Sequence, residues 1–247
     1  MNSEVTKKYC EEIALDPTNY YLDDKLYKIP SNTFTDEVIQ SLPLPELNYD
    51  KYCEMCTTDL WKRLPFNKSV DNTPFIKNED TISVAINISN WIQANNITPS
   101  ILEVGCGTGV ASKIIINILS QIKEFKYIGT DLFKYSGSVI KIETGIRAEE
   151  AVKEYHDRMN ILLMIKPPPN CLYDYFAIEE LLKHNNTKKY IIFVGSIGLR
   201  DGTFGIYNYL FKHDKLRCIH VKTIARYHIP DTNVEIDINV TIFETLN

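Results

Sequence analysis

The sequence predicts an α/β protein: a doubly wound, mostly parallel seven-stranded sheet with helices on both faces, a C-terminal antiparallel hairpin and an N-terminal helical extension. Three observations predict it. All ten glycines lie at or beyond Gly105, whereas seven of the eleven prolines lie at or before Pro99, and glycine supplies the close-approach turns that join strands to helices. From about residue 80 onward, short apolar runs alternate with stretches of helical periodicity, as a parallel sheet covered on both sides requires. The last two runs are longer and alternate with period two. They are joined through Pro230, Asp231, Thr232 and Asn233, so they pair as a hairpin.

Taken in order, residues 1–79 form the extension, with a weakly amphipathic helix over 49–63 between proline-containing connections at Pro30, Pro43, Pro45, Pro65 and Pro74. Residues 80–247 form the α/β domain. Glu79, Asp80 and Thr81 give a capping signal for a helix running to about Asn95. The apolar run 101–104 is the first strand and meets Gly105, Gly107 and Gly109. Ala111, Ile114, Ile115, Ile118, Leu119 and Ile122 then recur at helical spacing, predicting a helix over 109–122 that packs on the sheet. The alternation continues with strands at 126–131 and 138–144, a helix at 148–156, a strand at 160–165, a helix at 174–184, a strand at 189–195 and a helix at 203–212. Strands at 216–228 and 234–243 close the chain, the second with Val234, Ile236, Ile238, Val240 and Ile242 on one face.

Composition narrows the function classes. The formal charge is −5, and residues 1–80 carry 9 Lys/Arg against 15 Asp/Glu while residues 81–247 carry 18 against 17. The acidity therefore belongs to the front third, and no broad basic surface for nucleic acid is expected. Apolar runs such as 161–165 are far shorter than the roughly 20 residues of a membrane span, so no membrane partner is expected. The N-terminus lacks the apolar segment of a signal peptide, and six cysteines at irregular spacing read as reduced thiols, so the expected location is cytoplasmic.

The most informative stretch is Glu103, Val104, Gly105, Cys106, Gly107, Thr108, Gly109. A dinucleotide fingerprint requires G-x-G-x-x-G, and its third glycine would fall at Val110. The pattern here is E-x-G-x-G-x-G, which resembles the first motif of class I S-adenosylmethionine (SAM)-dependent methyltransferases. The strand 126–131 ends in Asp131. The third element, Lys166-Pro167-Pro168-Pro169-Asn170, ends the fourth strand. From about residue 80 to the C-terminus the chain resembles the seven-stranded, Rossmann-like methyltransferase core, close to methyltransferase-like proteins of unassigned substrate.

The resemblance implies SAM as cofactor and methyl transfer to an unidentified acceptor. It implies that the glycine loop (Gly105, Cys106, Gly107, Gly109) approaches the methionyl part of SAM and that Glu103 faces its ammonium, directly or through water. Asp131 would grip the ribose hydroxyls, with Leu132 and Phe133 flanking the adenine. A carboxylate suits a diol because it only accepts hydrogen bonds, and as a strand-end group Asp131 is expected to be solvated without ligand. Glu143, Thr144, Arg147 and Ala148 match the adenine-contacting loop poorly. Lys166 and Pro167 lie at the transfer face, where the family's amine methyltransferases carry an acceptor residue and, at the position of Pro169, an aromatic. Lysine only donates, which counts against an amine substrate. Ser196 stands where related proteins often carry an acid. The alternatives are a SAM-binding pseudoenzyme or regulatory subunit, for which a protein partner is a possibility, and less readily an NAD-dependent oxidoreductase.

Other residues carry less. Cys53 and Cys56 form a lone C-x-x-C without a second ligand pair, the histidines at 156, 184, 213, 220 and 228 show no metal-binding grouping, and no metal site is expected. Tyr20, Tyr21 and Tyr27 are expected to anchor the extension on the core.

Overall fold

The computed structural model describes residues 49–57, 78–122, 124–168, 171–184, 186–196, 201–203, 205–228 and 235–246. Tyr20, Tyr21, Tyr27 and the stretch 58–63 of the first expected helix lie outside them. The elements are α1 (Tyr49–Thr57), α2 (Asn78–Ala94), β1 (Ser100–Val104), α3 (Val110–Leu119), β2 (Lys126–Asp131), β3 (Ile142–Thr144), α4 (Ala148–Tyr155), β4 (Ile161–Ile165), α5 (Tyr173–Lys183), β5 (Tyr190–Gly195), α6 (Ile206–Lys212), β6 (Leu216–His228) and β7 (Glu235–Thr245).

The sheet has seven strands in the order β3-β2-β1-β4-β5-β7-β6. β1 pairs in parallel with β2 and β4, β2 with β3, and β4 with β5, while β7 runs antiparallel to both β5 and β6. The expected doubly wound sheet and its C-terminal hairpin are thus present. The strand order reverses at β1, which puts the C-terminal ends of β1, β2 and β4 around the crevice where ligands of open α/β sheets bind.

Alternation along the strands builds two cores. Leu102, Val104, Leu162, Met164, Ile191 and Phe193 face α4, α5 and α6, and Ile101, Ile161, Leu163, Ile192 and Val194 face α2 and α3. The helix expected over 109–122 spans only Val110–Leu119, and two further elements are shorter than their patterns. Of the 138–144 run only Ile142–Thr144 is strand, because Gly137 turns the chain at φ 86° and the Val139 N–H is committed to Thr108 at 3.0 Å. The 203–212 helix starts at Ile206, after Gly205 at φ 79°.

α1 packs on the first of these layers. Tyr52 is fully buried and stacks on Phe176 of α5 at 4.8 Å between ring centroids, and its hydroxyl donates to Glu149 at 2.6 Å. Arg147 donates to Cys53 Sγ at 3.1 Å. Cys53 therefore helps to dock the helix, and burial pushes the Cys56 thiol up to about 11. The five described cysteines are free thiols. At the other end of the hairpin, β6 is an edge strand whose register with β7 shifts twice, between Cys218 and His220 and between Thr223 and Ala225. Among the described residues no helix is long and apolar enough to cross a membrane.

Candidate functional site

The three glycines of the loop after β1 all have positive φ, 70°, 59° and 78° for Gly105, Gly107 and Gly109, but they have different neighbours. A Cβ at Gly105 would lie 2.5 Å from the Tyr173 hydroxyl, and one at Gly109 would lie 2.6 Å from Ile140 Cγ1. Among the described residues, one at Gly107 would meet nothing within 4 Å. Gly105 and Gly109 thus admit protein neighbours, whereas Gly107 turns bare backbone toward space that no described residue fills.

Asp131 closes the other side of this opening. Its Oδ2 accepts the Gly107 N–H and its Oδ1 the Phe133 N–H, both at 2.8 Å. The side chain is 7% exposed, so the expected solvated carboxylate is in fact buried and ties the glycine loop to the end of β2. Burial lifts its carboxyl to about 6 against these two hydrogen bonds, which pull it down. Each carboxylate oxygen keeps a further lone pair for a ligand. Leu132 and Phe133 follow, half-buried, and the Leu132 carbonyl accepts the Gly145 N–H at 3.2 Å. Tyr135 joins them close enough for Asp131 and Cys106 to help burial raise its phenol.

Glu103 is buried on the α3 side. Its Oε2 accepts hydrogen bonds from Ser112 and Tyr127, each at 2.5 Å, and burial pushes its carboxyl up to about 7. That oxygen is committed to the protein. Cys106 donates its N–H to Thr130 at 3.1 Å, and its sulfur lies 3.4 Å from where a Gly129 Cβ would be, so the thiol packs toward β2. Burial raises its pKa well above the ordinary thiol value. Glu143 accepts the Tyr155 hydroxyl, and Arg147 bridges Glu149 and Glu150.

On the β4 side, Lys166 is 8% exposed and sits at φ 43°, a conformation that costs a non-glycine residue of order 1 kcal/mol or more. Its N–H donates to Val194 at 2.7 Å, and the Pro167 carbonyl accepts the Gly202 N–H at 2.7 Å. Pro169 and Asn170 lie outside the described residues. Two buried carboxylates fix this side: Asp174 at the start of α5 joins it to the loop after β5, and Asp201 closes that loop on itself. Asp174 accepts the N–H and hydroxyl of Thr203, and Asp201 accepts the N–H and hydroxyl of Ser196 at 2.6 and 2.9 Å. An acid does stand at the end of β5, supplied five residues downstream of Ser196.

Sequence reasoning missed Tyr173 as well as Asp201. Tyr173 opens α5 directly after Leu172, another non-glycine at positive φ, 60°, and reaches back to Gly105. Among the described histidines, His156 and His184 stack on each other at 3.9 Å and lie at the opposite, N-terminal end of the parallel strands, where Lys189 donates to the His156 carbonyl. No group of three or more His, Cys, Asp or Glu side chains that could hold a metal ion occurs among the described residues.

No family model matches the chain, and no curated protein does. Solved structures do. The Burkholderia thailandensis 1,6-didemethyltoxoflavin-N1-methyltransferase, solved with 1,6-didemethyltoxoflavin and S-adenosylhomocysteine, is 10% identical with a TM-score of 0.53 over 83% of this chain and 94% of that one. A SAM-dependent methyltransferase from Anabaena variabilis is 13% identical with a TM-score of 0.48, covering 84% and 98%. The plantazolicin methyltransferase BamL is 12% identical with a TM-score of 0.48, covering 80% and 94%. The first of these carries the structural conclusion. The chain has the fold of class I SAM-dependent methyltransferases.

Proposed function

We propose that the protein binds SAM across the ends of β2, β1 and β4 and transfers its methyl group to an acceptor of unidentified class. The observation that carries this reading is the pairing of Asp131 with Gly107. A buried carboxylate with lone pairs to spare stands beside bare backbone whose Cβ direction is open. This fits a ligand with a ribose diol next to a bulky substituent. The half-buried Leu132, Phe133 and Tyr135 offer apolar surface for a base. The Burkholderia enzyme of the same fold holds S-adenosylhomocysteine, the product SAM leaves behind.

SAM supplies a methyl group already activated on a sulfonium, so the chain's task is to hold donor and acceptor in line and keep water out. Positioning of this kind can contribute roughly 7–11 kcal/mol. In this reading Asp131 fixes the ribose, Gly107 lets the backbone approach, Leu132 and Phe133 flank the adenine, and Lys166 and Pro167 shape the rim on the acceptor side. Residues 1–79 act as an extension whose helix α1 covers the start of α4 beside the Asp131 loop. The described cysteines, all thiols, suit a cytoplasmic setting.

Lys166 also supports a second reading, a SAM-binding subunit without catalysis, because a lysine stands where amine methyltransferases carry an acceptor. Calorimetry with SAM, S-adenosylhomocysteine and NAD, followed by transfer of labelled methyl from SAM into a cell extract, separates the cases. Heat from SAM with label transfer is expected. Heat from SAM without transfer leaves the subunit, and heat from NAD with none from millimolar SAM overturns the reading of the glycine spacing.

A further inference from the structure

A ligand whose ribose lies at Asp131 on β2 extends across β1 toward β4, because the strands stand in the order β2-β1-β4. The side chain met there is Tyr173. It approaches the glycine loop from the start of α5, and its oxygen lies 2.5 Å from where a Gly105 Cβ would be. Among the described residues no partner hydrogen-bonds that oxygen. Leu172, immediately before it, is held at φ 60°, and strain of this kind persists where the surrounding structure requires one particular side-chain placement.

We infer that Tyr173 is the residue that recognises the amino-acid arm of the cofactor, its hydroxyl hydrogen-bonding the charged ammonium–carboxylate end. The inference rests on the SAM reading. A phenol both donates and accepts, which suits a zwitterion better than the carboxylate of Glu103, whose Oε2 is already taken by Ser112 and Tyr127. Burial, with Cys171, Asp174, Asp131 and Glu103 adding to it, raises the phenol well above its ordinary value, so its donor is retained. The Asp131 carboxylate, ionised above about pH 6, makes this corner attractive to an ammonium group.

The test is Tyr173→Phe, which removes one oxygen and keeps the ring, assayed by calorimetry on the full chain. The probes are SAM, S-adenosylhomocysteine and 5′-methylthioadenosine, which lacks the amino-acid arm. A lost hydrogen bond to a charged group corresponds to about tenfold or more in affinity, so SAM and S-adenosylhomocysteine should both weaken by that factor while 5′-methylthioadenosine is unchanged. The ratio between probes is taken within one sample, so partial unfolding of the variant does not disturb it. Equal losses for all three, or no loss for any, overturn the assignment of Tyr173. A wild-type protein that binds none of the three overturns the SAM reading beneath it.

Discussion

Replacing Asp131 by Asn separates what the fold favours from what a ligand needs. Both carboxylate oxygens accept backbone N–H groups at 2.8 Å, yet burial still lifts the carboxyl from 3.8 to about 6. The hydrogen bonds therefore do not offset desolvation of the charge. At about pH 3 and lower Asp131 is mostly neutral in folded and unfolded chains alike, so variant and wild type should differ there only by the one backbone N–H, of Gly107 or Phe133, that the amide nitrogen cannot accept, a cost of about 1–3 kcal/mol to the variant. As pH rises from 3.8 toward 6 the unfolded chain ionises first and binds fewer protons than the folded one, so wild type loses stability relative to the amide. A shift of about two units at roughly 1.4 kcal/mol each should move the stability difference by up to about 3 kcal/mol in favour of the unliganded Asn variant between about pH 3 and pH 7. SAM affinity should move the other way, falling about ten- to a hundredfold, because the amide offers one acceptor where the diol needs two. Urea unfolding without ligand between about pH 3 and 8 reads the first effect, and calorimetry at about pH 8 the second. A stability difference that does not change with pH refutes the burial reasoning, and undiminished affinity removes Asp131 from the site.

Gly107→Val should cut SAM affinity at least about a hundredfold by filling the open cradle, with a stability cost of about 1–3 kcal/mol from its φ of 59°, whereas Gly109→Ala should act through stability, since its Cβ would strike Ile140; melting curves and calorimetry on both variants check the contrast. SAM binding should weaken about tenfold per pH unit below about pH 6, where Asp131 takes up a proton, and a flat profile from about pH 5 to 8 would contradict an ionised carboxylate in the site. Tyr52→Ala should cost about 3–5 kcal/mol of docking for α1, because it removes a buried ring stacked on Phe176 and the hydrogen bond to Glu149, and should expose residues 49–57 to limited proteolysis while the β-sheet core keeps its protection.

Glycine spacing, strand-end acid and alternating apolar runs are local signals, and they carry the order of the elements and single out Gly107 and Asp131, which the fold brings into contact. What each residue touches depends on chain closure, which sequence periodicity does not carry. The stripe Ala111, Ile114, Ile115, Ile118, Leu119 and Ile122 was legible as a helix face, yet it is Ser112, at the buried start of α3, that meets Glu103. The roles of Gly105 and Gly109 were read as making room for a ligand, but Tyr173 and Ile140 fill those spaces. Tyr173 was illegible because its aim depends on a positive φ at Leu172, a leucine that sequence gives no reason to put there. Asp201 is not legible because the expected place for the acid is next to Gly195, whereas the loop folds it back onto Ser196 from five residues away.

The two register shifts in β6 bear on how copies of this protein meet one another. A regular edge strand presents an even row of N–H and C=O groups that any extended segment can zip onto, and such edges seed runaway strand addition. Here each shift adds twist and breaks that row, between Cys218 and His220 and again between Thr223 and Ala225, so an incoming strand would fall out of step at each of them. The thirteen-residue β6 thereby ends the sheet despite its length, and crowding alone should not drive the chain to polymerise through this edge.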